Sequence, residues 1–327
     1  MNLNDDKAGW NREVVSNPSF LQTWQWGELQ KKMGRRVFRI NVAGIFASVV
    51  EQSLPFGQTY LYAPHGPVAG GGMTMDSWRN LIKAAEGAPS PRKPIFFRVE
   101  PLAQKIGGEI IKKVLEEAGF RPTKAVQPKS TLVIDLRKSE KEILDEMEHD
   151  TRYSIRAAEK RGVTVKFAEG KNKQKNFDTF WEIFLETNRR HGLKIYSKAY
   201  YEEVVGLEGE CSSKIGIAES GEKAISAAIF VYFGGRCFYL FAGSRSGYGK
   251  FNAPTYLLWR AMLEAKKTGC DYFDFWGISH ENKNWTKITA FKKSFGGEEI
   301  TSAGTWDYVF DRPRYIAYNF AKLFLAG

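Results

Sequence analysis

The residues best suited to chemistry are a lysine pair set between aromatic anchors, Phe291-Lys292-Lys293-Ser294-Phe295-Gly296-Gly297. Cations held rigidly beside a strand end suit an anionic substrate or a developing oxyanion, and the two glycines allow a tight or positive-φ backbone close to a ligand. The same string also reads as a surface hairpin with solvated lysines. In an extended chain Lys293 would point away from the side that Lys292 serves. A second basic set is Arg152, Arg156 and Lys160. Its i, i+4, i+8 spacing lays one stripe along a helix, which suits phosphate contacts and an ordinary solvated face equally. Glu100 precedes Pro101 at a strand end, where α/β sheets place functional groups, and reads either as a general base or as a turn residue. His191 follows Arg189 and Arg190 at a helix end, where cations complement the helix dipole. Ser244 to Gly249 partly matches a Gly-rich pyrophosphate loop, with its basic residue one position out of place.

These residues need elements to hold them. The lysine pair is approached by an aromatic β-run, Tyr272 to Ile278, and a polar loop, Ser279 to Thr286. Upstream, the spacing predicts a helix over Pro18 to Met33, strands over Val37 to Ile40, Ala43 to Gln52 and Thr59 to Ala63, and a rigid Pro64-His65-Gly66-Pro67 turn. A helix (Met75 to Glu86), a strand (Pro94 to Val99) and a helix (Gly108 to Ala118) follow. From Gln127 the order starts again. A strand (Ser130 to Leu136) leads to Ser139 and Glu142, the signature of a capped helix start, with helix expected through Arg161. Next come a strand (Val163 to Phe167), a flexible basic loop (Gly170 to Asn176), and a helix (Phe177 to Arg190) whose aromatic stripe suits core packing. Strands over Ile215 to Glu219, Ala224 to Phe233 and Cys237 to Ala242 and a helix over Pro254 to Thr268 return to the aromatic run. This alternation predicts an α/β (α+β) chain of two similar units. From Thr305 an aromatic-rich terminal helix is expected, either docked on a core or lying along a membrane interface.

Composition narrows the class. The chain has 327 residues with 43% hydrophobic and 14% aromatic content, enough for two packed cores. A formal charge of +11 and a pI near 9.4 point to polyanionic partners. Cys211, Cys237 and Cys270 are odd in number, widely spaced and without a CxxC pair, which argues for a reducing compartment and against a zinc site. MNLNDDKAGW lacks a signal-peptide pattern, and no apolar run approaches a bilayer span, so a cytoplasmic location is expected. No metalloprotease, nucleophile-elbow, Walker or dinucleotide motif occurs.

Five motifs, in order, resemble the Fem family of non-ribosomal peptidyltransferases, which build peptidoglycan cross-bridges from aminoacyl-tRNA. They are Gln22-Thr23-Trp24-Gln25-Trp26, Tyr62-Ala63-Pro64-His65-Gly66-Pro67-Val68, Arg152 to Val163, Asp274-Phe275-Trp276-Gly277-Ile278 and Phe291 to Gly297. The resemblance implies two GNAT-like acyltransferase domains, residues 1–127 completed by 305–327, and 128–304, without a long coiled-coil insertion between Lys175 and Tyr200. It implies transfer of an aminoacyl group from tRNA to the side-chain amine of a precursor stem peptide, nucleotide- or lipid-linked, with no cofactor because the ester is already activated. Lys292 matches the family lysine near the reacting ester, and Glu100 sits where relatives have an acidic residue before Pro. Arg189 or Arg190, with Tyr201, falls in the segment that contacts the precursor. Gln30 replaces a family lysine four residues after Trp26, so Lys31 or Lys32 would have to supply the diphosphate contact. Trp26, Arg98, Tyr239, Phe291 and Lys293 complete the substrate-binding candidates. The implied partners are aminoacyl-tRNA and the precursor; the aromatic tail leaves open a peripheral contact with the inner membrane face, and the oligomeric state is open with a monomer favoured. Two other readings stay open: an N-acyltransferase using acyl-CoA on a sugar or amine, and a non-catalytic tRNA- or envelope-binding protein.

Overall fold

A computed structural model describes residues 6–42, 44–69, 74–102, 108–192 and 194–325. The chain divides into two compact units, Met1–Lys129 with Thr301–Gly327, and Ser130–Ile300. Unit 1 opens on α1 (Lys7–Val14), a helix that the sequence reading missed and that Asp6 caps by accepting the Gly9 N–H at 3.0 Å. The helix expected over Pro18 to Met33 is split into a 3-10 turn at Phe20–Gln22 and α2 (Trp24–Lys32). Thr23 divides them. Its backbone is extended and its hydroxyl accepts the Trp26 N–H at 3.2 Å, which starts a new helix. β1 (Val37–Val42), β2 (Ile45–Ser53) and β3 (Thr59–Ala63) follow as an antiparallel meander, and β4 (Val68–Ala69) pairs with β2. α3 (Met75–Glu86), β5 (Phe96–Val99), α4 (Gly108–Glu117) and β6 (Arg121–Thr123) complete this stretch.

Unit 2 begins with β7 (Ser130–Asp135) and α5 (Glu140–Glu146), whose Ser139–Glu142 capping box is present. The continuous helix expected to Arg161 is broken. Met147 and Glu148 are extended, and α6 (His149–Lys160) starts afresh. After β8 (Val163–Ala168) the expected basic loop is instead the first turn of α7 (Asn172–His191). Lys173 is buried there, its Nζ donating to the Leu207 carbonyl at 2.8 Å, so a packing role has displaced the solvated one. Then come α8 (Lys198–Val205), β9 (Ser212–Ser220), β10 (Lys223–Phe233), β11 (Arg236–Ser244), α9 (Ala253–Lys267), β12 (Tyr272–Ile278), α10 (Thr286–Lys293) and β13 (Glu298–Thr301). The sheet order is β13-β7-β12-β11-β10-β9-β8. Phe230, Phe273, Phe275, Met262 and Phe295 fill its core.

The chain then returns to unit 1. Its tail was expected to be all helix, yet Thr305–Val309 is a strand, β14, inserted between β5 and β6, and only Arg312–Leu325 forms a helix, α11. The strand is buried on both faces, Thr305 and Asp307 on one and Trp306 on the other, while β5 and β6 pair with its two edges. Trp78, Leu81, Phe97 and Trp306 belong to one core cluster. The Phe324 side chain lies outside those described.

Candidate active site

In unit 2, β11 and β12 run parallel and pair over only three residues, Arg236 to Phe238 against Tyr272 to Asp274. Beyond that point each strand carries an extra residue. β11 bulges between Tyr239 and Phe241 against β10, and β12 bulges between Asp274 and Gly277 against β7. A bulge bends its strand and re-aims side chains, so the parallel pair ends where both strands turn. Trp276 sits in the second bulge with φ +59°, a left-handed conformation that a bulky residue rarely adopts. It is held from both sides: the Asp274 carboxylate accepts its N–H at 2.8 Å and the Thr131 hydroxyl lies 2.9 Å from its carbonyl.

The turn places the Gly277 carbonyl against Lys292. Lys292 Nζ donates to it at 2.6 Å and lies 5.9 Å from the Tyr239 ring centre. The ammonium is buried, which lowers its pKa to about 8, opposed by the Asp274 carboxylate. Asp274 is shifted the other way. Burial raises it, against Arg236 at 3.4 Å, the Thr131 hydroxyl at 2.5 Å and the Trp276 N–H. A buried cation and a buried carboxylate displaced in opposite directions are a common mark of a functional site. What the arrangement can do is hold a positive charge, nearly free of water, beside the place where two strands part.

The segment around Lys292 is helical, where an extended or hairpin form was expected. Lys292 and Lys293 close α10, and the side chain of one is buried while that of the other is exposed and pairs with Glu299 at 3.5 Å. Gly296 and Gly297 do adopt positive φ, +77° and +88°. Their neighbours are the protein's own backbone: a Cβ would lie 2.6 Å from the Glu146 carbonyl oxygen and 2.5 Å from that of Val133. The glycines therefore seat α10 on the sheet rather than admitting a ligand. Phe291 is half-buried and packs edge-on against Phe295, ring centres 5.5 Å apart. Tyr239 is half-buried between Phe230 and Phe275.

Other expected site residues serve the fold. Glu100 is buried in unit 1 and accepts from the Tyr62 hydroxyl, the Thr305 hydroxyl at 2.5 Å, and the N–H groups of Val126 and Gln127 at 3.2 and 3.0 Å. These four contacts make the carboxylate a clamp that ties the end of β5 to Thr305 and to the backbone at Val126 and Gln127. Arg98 is buried and bidentate to Asp307, both distances 2.7 Å, which removes it from substrate contact. Tyr201 is buried among Trp181, Phe184 and Phe241, its hydroxyl accepting the Tyr196 N–H at 3.2 Å, so it is packing and not a surface contact. Trp26 is likewise core, edge-on to Phe20 at 5.0 Å. Lys31 is exposed and bonds Glu28 at 2.9 Å. Gln30 is buried and accepts from the Arg35 guanidinium, so a cation stands beside the position where a lysine was expected.

The basic surface is partly as expected. Arg152 turns back to the Met147 carbonyl, Arg156 is exposed on α6, and Arg189 and Arg190 end α7. Arg190 reaches Ser246 Oγ at 2.9 Å. In the loop after β11, Glu186 accepts the Ser246 N–H at 2.7 Å, so this carboxylate already occupies part of the expected phosphate nest. Asp274 and Trp276 belong to one of the five sequence motifs but are given no role in the site by the sequence, and Thr131 is not marked by any motif. A carboxylate in the middle of an aromatic strand, where aspartate is disfavoured, was the available signal. Among the described residues, no cluster of three or more His, Cys, Asp or Glu is placed to hold a metal ion.

Each unit is built on a mixed sheet flanked by helices and containing a parallel strand pair, β3 with β5 in unit 1 and β11 with β12 in unit 2. The solved structure of FemX has the same fold, with TM-score 0.82 and 18% identity over 95% of this chain and 98% of that one. The model of the FemAB family matches residues 117–219 and 208–323, and the chain belongs to that family. Among its relatives, UDP-N-acetylmuramoylpentapeptide-lysine N(6)-alanyltransferase of Weissella viridescens is 28% identical over 90% of this chain and 91% of its own length. Lipid II:glycine glycyltransferase of Staphylococcus aureus (strain MRSA252) is 20% identical over 92% of this chain and 91% of its own.

Proposed function

We propose that the protein is an aminoacyltransferase of cell-wall synthesis, moving an amino acid from aminoacyl-tRNA to the side-chain amine of a peptidoglycan-precursor stem peptide. Membership of the FemAB family and relatives named as alanyl and glycyl transferases support the reaction class. The observation that carries the mechanism is the buried ammonium of Lys292 beside the parting strands. In the reaction the neutral amine attacks the ester carbonyl, a C–N bond forms, the ester C–O bond breaks, and the ribose oxygen leaves with the proton that the amine gives up. Negative charge gathers on the carbonyl oxygen, and Lys292 supplies the cation that meets it. Its pKa of about 8 keeps it mostly protonated at neutral pH. The charge of +11 favours capture of two polyanionic substrates in the cytoplasm, where charged tRNA is made.

The test is incubation with mixed labelled aminoacyl-tRNAs and with nucleotide- and lipid-linked precursors, followed by mass spectrometry for a new isopeptide. A product that vanishes with Lys292→Ala supports the assignment. Transfer by that variant at the wild-type rate under saturating substrates removes Lys292 from the chemistry. Turnover of acyl-CoA with no response to charged tRNA would replace the donor.

A further inference from the structure

The turn that brings the Gly277 carbonyl to Lys292 is strained, because it keeps Trp276 at φ +59°, an angle that glycine takes freely and a bulky side chain resists. Something must hold it. A bulge takes its residue out of the ladder, so the partners come from elsewhere. The Trp276 N–H donates to Asp274 Oδ1 at 2.8 Å, and the Thr131 hydroxyl lies 2.9 Å from the Trp276 carbonyl oxygen and 2.5 Å from the same Oδ1. Arg236 steadies the other carboxylate oxygen at 3.4 Å. A hydroxyl has one hydrogen to give, and here it faces two acceptors, which couples the place of Asp274 to that of the Trp276 peptide. Thr131 stands on β7 directly opposite Gly277, where β12 rejoins its neighbour after the bulge. The route from its hydroxyl to the ammonium is therefore short: the Trp276 peptide, the adjoining Gly277 carbonyl, then Lys292 Nζ at 2.6 Å.

We propose that Thr131 is a positioning residue for transfer, whose hydroxyl holds the Trp276 turn and so fixes the Gly277 carbonyl and the direction of the Lys292 ammonium. The role rests on the transferase reading of Lys292, because Thr131 acts through that lysine and not on the substrate. Sheet packing alone does not call for a hydroxyl at this position. Valine has the same branched shape and favours a strand at least as well. For a buried charge direction matters as much as presence, since a displacement of about 1 Å at a reacting centre can lower the rate up to about a hundredfold.

The experiment compares Thr131→Val, which exchanges the hydroxyl for a methyl, with Thr131→Ser, which keeps it. In isopeptide formation, Thr131→Val is expected to lower kcat about tenfold or more with KM within about twofold, the pattern of an interaction made in the transition state, and Thr131→Ser to stay within about threefold of wild type. A second readout needs no substrate. In the nitrogen NMR spectrum of the full chain carrying isotope-labelled lysine, the Lys292 ammonium signal, identified by its loss in Lys292→Met, should move in Thr131→Val and keep its place in Thr131→Ser. Trp276→Gly guards against a fold defect: glycine accepts the angle unaided, so in that background Thr131→Val should shift the signal and lower kcat less than in the wild-type chain. A wild-type kcat for Thr131→Val, an unmoved ammonium signal, or an undiminished effect in the glycine background overturns the proposal. A wild type that forms no isopeptide, together with a signal that moves, sinks the transferase reading and leaves the holding of Lys292 by Thr131 standing.

Discussion

At Lys292 a single charge is kept where water barely reaches it, and both its reactivity and its effect on stability follow. Lys292→Ala is expected to lower kcat/KM for transfer by about a hundredfold or more, measured by isopeptide formation. Because the ammonium is the useful form, activity should fall as pH rises through about 8. The Asp274 carboxylate raises the Lys292 pKa, so Asp274→Asn should move that alkaline limb to lower pH, and an unmoved limb would show that the two groups do not communicate. Stability has its own pH dependence. The folded pKa, about 8, is below the ordinary 10.5, so the unfolded chain holds the proton more tightly. The penalty is fully present below about 8 and is relieved as pH rises towards 10.5, so this group makes the protein more stable across that window. A displacement of this size is worth about 3 kcal/mol, of which the Gly277 carbonyl, losing its donor, would take back about 1–3 kcal/mol. Lys292→Met is therefore expected to raise Tm at neutral pH by about 2–4 °C while abolishing transfer, as read by calorimetry.

Among the elements, α10 and the turn that seats it decide where Lys292 points. Gly297→Ala puts a methyl against the Val133 carbonyl at a backbone angle that alanine resists, and should cost about 2–4 kcal/mol by urea unfolding, with a loss of transfer from the displaced lysine. The strands leading to this site were legible because aromatic and β-branched runs have only one comfortable home. The helix was not. Thr286–Lys293 contains Ile288 and Thr289, residues with little helical preference of their own, and it is fixed by a tertiary contact: the Thr289 hydroxyl bonds both the N–H and the carbonyl of Ser279 at 3.1 Å. The role of Asp274 was not legible for a related reason, since its partners Thr131 and Arg236 come from strands far away in the sequence. The contacts of Glu100 were not legible because a carboxylate at a strand end looks alike in sequence whether it faces a substrate or holds Tyr62, Thr305 and two backbone amides.

On the scale of the whole chain, unit 2 is one continuous segment while unit 1 is made of two. Residues 130–300 expressed alone should therefore unfold in a cooperative transition, whereas a chain ending at residue 300 should leave unit 1 without its β14 strand and insoluble. The buried Arg98–Asp307 pair joins the two segments of unit 1 across 209 residues of sequence, a distance no local pattern reveals. Asp307→Ala, which strands the guanidinium, should cost about 3–5 kcal/mol in urea unfolding.

The placement of β14 in mid-sheet also sets a timetable for synthesis. At about 5–20 residues per second the ribosome needs on the order of ten seconds or more to pass from β6 to β14, and unit 2 is made whole in that interval. Throughout it, β5 and β6 wait with open backbone edges, the condition in which nascent chains aggregate or recruit holdase chaperones. The gene order of the strands thus makes the first unit begun the last one finished.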